Sequence, residues 1–158
     1  MLASVVIRTL NEERYLKELL TAISQQKCKT VELEIVLIDS GSTDQTLKIA
    51  ENFGARITHI NKADFTFGRS LNMGCAFAKG DFLIFVSGHC IPANEDWLDE
   101  LCKPLLDGKS QYSYGRQVGR DSTKFSEQCH FNKWFPDYSK IPQEGYFCNN
   151  ANAAVTRE

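Results

Sequence analysis

Three clusters of polar residues each follow a short apolar run, and their side chains could bind or transform a small ligand. The clusters occupy residues 9–12, 39–44 and 87–90. Asp39 is the most informative position, because a carboxylate directly after the apolar residues 35–38 contributes little to packing. An ionised carboxylate only accepts hydrogen bonds, so Asp39 is suited to an imide N–H such as that of a uracil base.

The first cluster permits two interpretations. Thr9 and Glu12 have the spacing of a capping box that starts a helix. Alternatively, Thr9, Asn11 and Glu12 line a base and its ribose, with Glu12 accepting a hydrogen bond from a hydroxyl group. The two roles are compatible, because one side chain can cap a helix while its neighbour binds a ligand.

Two further pairs of polar residues also admit both a structural role and a binding role. Ser42 could form a second capping box with Gln45, or Ser42 and Asp44 could lie beside the ligand of the second cluster. Arg69 and Asn72 lie just before or within a predicted helix. Arg69 is either a solvated surface charge or, with the amino end of that helix, a partner for a diphosphate.

His89 is a candidate metal ligand because it directly follows an apolar strand, in the third polar cluster. A lone histidine is more often structural, but its position favours ligation. Neutral imidazole suits transition metals such as Mn²⁺ better than Mg²⁺. His59 and His130 have no comparable context, so we interpret both as structural.

The elements that must position these clusters alternate between strand and helix. Apolar β-branched runs predict strands, and apolar residues at helical spacing predict helices. The predicted strands are residues 4–7, 34–38, 56–60 and 81–86, and the predicted helices are residues 12–26, 42–53, 70–79 and 95–106. This order predicts an α/β, Rossmann-like fold with a mostly parallel sheet and helices on both faces. Because ligands bind beyond the carboxyl ends of such strands, we expect the three clusters to meet at one rim.

Beyond residue 106 the pattern is weaker. Residues 111–118 fit a strand and residues 124–135 fit a helix, whereas the asparagine-rich residues 145–155 stay unassigned. The length of 158 residues suits a single domain.

Composition excludes several classes of protein. The net charge is −2 and no basic stripe is present, which argues against binding to a nucleic acid polymer. The six cysteines form no CxxC pair and no zinc-ligand spacing. The sequence shows no secretory signal. No apolar run approaches the roughly 20 residues that a membrane helix needs. We therefore expect a cytoplasmic protein and leave peripheral membrane association open.

Four segments resemble the family 2 glycosyltransferases in both order and spacing. They are residues 5–12 (VVIRTLNE), 38–44 (IDSGSTD), 69–74 (RSLNMG) and 78–85 (AKGDFLIF), and the likeness covers about the first 106 residues. The resemblance implies a GT-A fold in which residues 1–106 bind the donor and residues 107–158 begin the acceptor side. It also implies an inverting transfer from a nucleotide-diphospho-sugar, expected to be UDP-linked, to a hydroxyl of a glycan or lipid-linked glycan.

The resemblance further assigns roles to individual positions. It places four residues against the base and ribose: Thr9, Asn11, Glu12 and Asp39. Ser42 and Asp44 fall just after that contact, and Arg69 and Asn72 match the segment before the fourth strand. Where the family has Asp-x-Asp, whose last carboxylate holds Mg²⁺ or Mn²⁺, this chain has Ser87-Gly88-His89. His89 then occupies the ligand's position, and a divalent cation is the expected cofactor.

The family's catalytic base lies deeper in the chain, after an acceptor-binding segment, and residues 149–154 resemble the approach to that segment. No acidic residue here matches the base, so no catalytic residue is assigned, and we expect the chain to bind donor without enzyme-like transfer. Apolar surface exposed around residues 147–155 would favour a homo-oligomer. Two rivals stay open: a non-catalytic nucleotide-sugar-binding module, and a sugar nucleotidyltransferase. The second is disfavoured because residues 9–12 lack the glycine and lysine of a phosphate loop.

Overall fold

The computed structural model describes residues 1–119, 123–141, 143–145 and 148–157. In this part of the chain, six strands form one sheet in the order β3-β2-β1-β4-β6-β5. The strands are β1 (Leu2–Thr9), β2 (Glu32–Asp39), β3 (Arg56–His59), β4 (Phe82–Ser87), β5 (Tyr112–Tyr114) and β6 (Asn152–Thr156). The helices are α1 (Glu13–Ser24), α2 (Thr46–Asn52), α3 (Phe67–Phe77), α4 (Trp97–Leu106) and α5 (Phe125–Trp134).

The first four strands are parallel, as the alternation of strands and helices predicts. Val5, Val6 and Ile7 of β1 are all fully buried, which is typical of a parallel strand covered on both faces. One face packs against α1, α2 and α4, and the other packs against α3. The expected α/β fold with helices on both faces is confirmed.

Helix α3 lies unusually close to the sheet because a glycine faces it. A Cβ atom at Gly74 would lie 2.4 Å from Ile38 Cδ1 and 2.6 Å from Val6 Cγ1. The helix runs antiparallel to the strands. Its first residue, Phe67, therefore lies near their carboxyl ends, and its last residue, Phe77, near their amino ends.

Strand β6 is the element that the sequence pattern missed. It runs antiparallel between β4 and β5, and its Ala153 and Ala154 are 0% exposed. Asparagine and alanine are depleted in strands, so the first three residues of β6 carry only a weak strand signal. The expectation of exposed apolar surface is wrong for these two residues, while Phe147 lies outside the described residues.

Within the described ranges, no helix is long and apolar enough to cross a membrane.

Candidate functional site

The carboxyl ends of β1, β2 and β4 lie side by side and form one polar rim, which we call the carboxyl rim. Thr9 is opposite Asp39 across β1 and β2, and Arg8 is opposite Ser87 across β1 and β4. The loops that leave these strands contain the three polar clusters. Their predicted convergence is confirmed.

Asp39 is 1% exposed and organises the loop that follows β2. Its Oδ2 accepts hydrogen bonds from the backbone N–H groups of Gly41 at 2.9 Å and Ser42 at 3.0 Å. Its Oδ1 accepts one from the Ser42 hydroxyl at 2.5 Å, and the Thr9 hydroxyl lies 3.4 Å away. Gly41 has a φ of 101°, which a glycine adopts without strain. A base N–H that binds Asp39 would therefore share the carboxylate with donors of the loop itself.

The amino ends of α1 and α2 cap each other, and neither of the two predicted capping boxes forms. Asp44 Oδ2 accepts a hydrogen bond from the Glu13 N–H at 3.1 Å, and Glu13 Oε2 accepts one from the Gln45 N–H at 2.9 Å. The Thr46 hydroxyl accepts a third from the Glu12 N–H at 2.8 Å. Burial opposes the charge on Asp44, but hydrogen bonds from Thr46 and Glu13 outweigh it and lower its pKa.

The capping boxes fail because their first residues have other functions. Thr9 is the last residue of β1, and its hydroxyl points to β2. The Ser42 hydroxyl binds Asp39 instead of a helix end. Local spacing cannot reveal the partners of Thr9 and Asp44, because they lie about 30 residues away in the sequence.

Asn11 joins the first two clusters into one wall. Its φ of 55° is the one left-handed non-glycine conformation among the described residues. Its N–H donates to the Ser42 hydroxyl at 2.9 Å, and its side-chain Oδ1 accepts from the Thr43 N–H at 2.8 Å. Left-handed backbone in a residue other than glycine is uncommon and is often found at functional sites.

His89 reaches the first cluster from the end of β4. Its Nδ1 lies 3.4 Å from Glu12 Oε1, and the two side chains are 60% and 21% exposed. A Cβ atom at Gly88 would lie 3.0 Å from Glu12 Cγ, so glycine permits this close approach. In the described part of the chain, no group of three or more His, Cys, Asp or Glu side chains could hold a metal ion.

Arg69 and Asn72 lie on α3, which begins earlier than predicted, at Phe67. The Thr66 hydroxyl caps the helix by accepting the Arg69 N–H at 3.0 Å. The Arg69 guanidinium donates to the Asp64 backbone oxygen at 3.1 Å. Asn72 is exposed on the second turn, and no hydrogen bond to a described residue joins it to the carboxyl rim.

Three residues at the carboxyl rim were not identified as candidate site residues from the sequence. His59, interpreted as structural, ends β3 with its Nδ1 3.7 Å from Asp39 Oδ2. Asn152 lies opposite Val86 in the register between β6 and β4 and accepts a hydrogen bond from Trp97 Nε1 at 2.8 Å. Arg8 is the third. The sequence shows that Arg8 lies at the end of an apolar run. It does not show whether the arginine has a partner within the chain.

The fold and its polar rim define a transferase domain of the GT-A fold. The first 349 residues of Staphylococcus aureus TarS in complex with UDP match with a TM-score of 0.68 and 27% identity, over 78% of this chain and 38% of that one. A mannosyltransferase from Pyrobaculum calidifontis, solved with GDP-Man and Mn²⁺, has a TM-score of 0.68 over 98% of this chain and 44% of its own, and its 18% identity supports the fold alone.

The chain belongs to glycosyl transferase family 2, whose family model matches residues 4–157. Curated relatives include the poly(ribitol-phosphate) β-N-acetylglucosaminyltransferase TarS of Staphylococcus aureus, 33% identical over 52% of this chain. The 4,4'-diaponeurosporenoate glycosyltransferase of Staphylococcus haemolyticus is 31% identical over 74% of this chain. The chain spans 15% and 29% of the length of these two relatives. The family resemblance is thus confirmed, and with it membership of a family of enzymes.

Proposed function

We propose that this domain binds a UDP-linked sugar and belongs to an inverting glycosyltransferase that acts on a hydroxyl acceptor in glycan or cell-surface polysaccharide synthesis. The observation that carries the proposal is the meeting of Asp39, Thr9 and the His89–Glu12 pair at the carboxyl rim. UDP and UDP-GlcNAc complexes of TarS, at 27% identity over 78% of this chain, support the donor class.

In this proposal, the acceptor hydroxyl attacks the anomeric carbon, the bond from that carbon to the diphosphate breaks, and the nucleoside diphosphate leaves. Asp39 accepts the base imide N–H, while Thr9, Asn11 and Glu12 line the base and ribose. Ser42 and Asp44 hold the loop that shapes this pocket. No described carboxylate is assigned as the base that takes the acceptor proton.

The diphosphate end of the donor would lie toward the amino end of α3 and the third cluster. Arg69 and Asn72 belong to the predicted diphosphate side. A divalent cation there would have His89 and Glu12 as protein ligands and would take its remaining ligands from phosphate oxygens, as Mg²⁺ commonly does with nucleotides. Such a cation would stabilise the negative charge of the leaving group.

Calorimetry with UDP, CDP and their sugar conjugates tests the proposed donor class. We expect UDP to bind more tightly than CDP, because uracil has an imide N–H to donate to Asp39, whereas the same ring position of cytosine is an acceptor. Equal affinity for UDP and CDP would contradict the base assignment. Absence of binding by any nucleotide would contradict the proposed function.

A non-catalytic donor-binding module is the second candidate, favoured by Ser87-Gly88-His89 in place of Asp-x-Asp. Sugar transfer by the 158-residue chain and by any longer natural form, with the same donors and acceptors, separates the two candidates. A positioned base contributes typically about 10²–10⁴-fold, so we expect the 158 residues to bind donor with little transfer. Comparable turnover by both would place the base within this chain.

A further inference from the structure

Arg8 is a half-buried arginine, and two of its guanidinium nitrogens are fully buried without a hydrogen-bond acceptor in the described part of the chain. Its Nε and Nη1 atoms are buried and have no partner among the described residues. The guanidinium carbon lies 4.8 Å from the ring centroid of Phe67. Leaving a buried polar group unpaired destabilises a protein by about 1–3 kcal/mol, and by more for a charged group. A chain that retains such a group in its sheet is therefore expected to use it for a ligand.

The side chain of Arg8 lies on the α3 face of the sheet, at the carboxyl rim. Alternate residues of a strand share a face, and Val6, two residues earlier, packs in the cluster that contains Leu71 of α3. Phe67, the first residue of α3, covers the guanidinium. Arg8 is also opposite Ser87, which begins the segment that replaces the Asp-x-Asp of the family. The cation thus lies between the base side and the diphosphate side of the proposed pocket.

Four carboxylates that the structure describes at the carboxyl rim each have another partner. Asp39 accepts the donors of its own loop. Glu12 lies against His89, and Asp64 lies against Arg69. Asp44 caps the two helices. No ion pair joins Arg8 to a carboxylate among the described residues, so Arg8 is available to the acceptor atoms of a bound molecule.

The chemistry of a guanidinium selects the class of that molecule. Its planar fork of N–H groups matches the oxygens of a phosphate in a bidentate manner. The Phe67 ring holds the fork in one orientation through a cation–π contact. Burial lowers the pKa of Arg8, yet an arginine keeps its charge at any pH relevant to proteins.

We propose that Arg8 binds the diphosphate of the nucleotide-sugar donor and supplies the positive charge that faces the leaving group. This inference rests on the proposed function, because it needs a nucleoside diphosphate at the carboxyl rim. It adds a diphosphate-binding residue from β1, whereas the sequence motifs point to α3 and to His89.

Calorimetry on wild type, Arg8→Met and Arg8→Lys, with uridine, UMP, UDP and inorganic pyrophosphate in buffer without divalent cations, tests the role of Arg8. Arg8→Met removes the proposed hydrogen bonds to the charged diphosphate, so we expect it to weaken UDP binding about 10–100-fold. Uridine binding should change less than about twofold, because uridine lacks phosphate, and pyrophosphate binding should be lost with UDP binding. Arg8→Lys should recover part of the affinity.

Thermal unfolding separates this role from a structural one. Arg8→Met removes an unpaired buried cation, so its melting temperature without ligand should equal or exceed that of wild type. Arg56→Met is the matched control, because Arg56 also lies over a phenylalanine ring, at 4.2 Å from Phe77, but is paired with Glu34. That variant should melt at lower temperature and keep the wild-type ratio of UDP to uridine affinity.

The outcomes distinguish failure of this inference from failure of the proposed function. Unchanged UDP affinity in Arg8→Met, or an equal loss for uridine and UDP, overturns the diphosphate role alone. Wild-type protein that binds neither UDP nor pyrophosphate overturns both. Wild-type protein that binds pyrophosphate but not uridine, with that binding lost in Arg8→Met, supports the role of Arg8 and contradicts the base pocket.

Discussion

Helix α3 begins and ends with a phenylalanine, and an arginine lies over each of the two rings. At the amino ends of the strands, Arg56 lies over Phe77 and donates to Glu34 and to the Phe77 backbone oxygen. At the carboxyl ends, Arg8 lies over Phe67, with two buried N–H groups unpaired among the described residues. The same local contact thus occurs once with a carboxylate partner for the arginine and once, among the described residues, with two buried nitrogens unpaired.

Other charged side chains near the amino ends of the strands are also paired within the chain, as Arg56 is. Arg157 donates to three backbone oxygens at the end of α3, those of Cys75, Ala78 and Gly80. Glu34 accepts hydrogen bonds from Ser4, the Lys79 N–H and Arg56. A shallow cavity of about 410 Å³ at this end is lined in part by the Glu34–Arg56 ion pair. Charges at this end are satisfied within the chain, which suits a stabilising role, whereas the carboxyl rim leaves groups for a ligand.

The largest expected effect is on stability, at the amino end. Glu34→Ala should lower the free energy of unfolding by about 3 kcal/mol, the low end for breaking a buried ion pair, because the Arg56 side chain remains 33% exposed. Urea denaturation measures this change, and UDP affinity should stay as in wild type. Glu32→Ala, at an exposed position of the same strand, is the control and should change stability little. An equal loss of unfolding free energy in both variants would show that the paired Glu34 stabilises the protein no more than the surface carboxylate of Glu32.

The next effect is on binding, at the carboxyl rim. Asp39→Asn should weaken UDP binding by about 2 kcal/mol, because the base N–H then faces an amide instead of a carboxylate. Calorimetry measures this loss. Ser42→Ala removes a loop hydrogen bond but keeps the carboxylate, so it should weaken binding less. If both variants weaken binding equally, Asp39 acts only by shaping the loop.

A smaller effect is expected at the candidate cation ligands. Mn²⁺ should raise the affinity of wild type for UDP, and His89→Asn should reduce that gain by about tenfold, within the range seen when groups around a metal are altered. Titrating Mn²⁺ at fixed UDP gives the measurement. UDP affinity that is identical with Mn²⁺ and with a chelator would assign His89 a structural role.

The smallest effect is on the pH dependence of stability. Burial opposes ionisation of Glu34, but hydrogen bonds from Ser4, the Lys79 N–H and Arg56 outweigh it and lower the pKa of this carboxyl from its ordinary value. A pKa lowered by folding contributes stability that is present above the unfolded value and lost as pH falls through the folded value. Glu34→Gln should therefore lose less stability than wild type when the pH is lowered below about 4.5. Parallel pH profiles of urea midpoints would show that the pair does not stabilise the charged form.

Much of the fold followed from patterns that span a few residues. The continuous apolar stretch of β1 and the helical spacing of Leu16, Leu19, Leu20 and Ile23 are local signals, and the structure buries all of them. The positions of Asp39 and His89 after apolar strands were enough to predict that their clusters meet, because parallel strands share one carboxyl edge. Their binding roles stay predictions.

The sequence by itself therefore determined the order of strands and helices through residue 106, the family, and the residue types at the carboxyl rim. Tertiary structure alone decided that Ala153 and Ala154 form a strand between β4 and β5, since that strand is defined by its neighbours rather than by its own propensity. It also decided that Asp44 caps a helix about 30 residues away, and that Arg56 has a carboxylate partner while Arg8 has none among the described residues. The physical reason is the same in each case: hydrogen bonds and burial depend on which distant segments meet, and the spacing of residues along the chain does not contain that information.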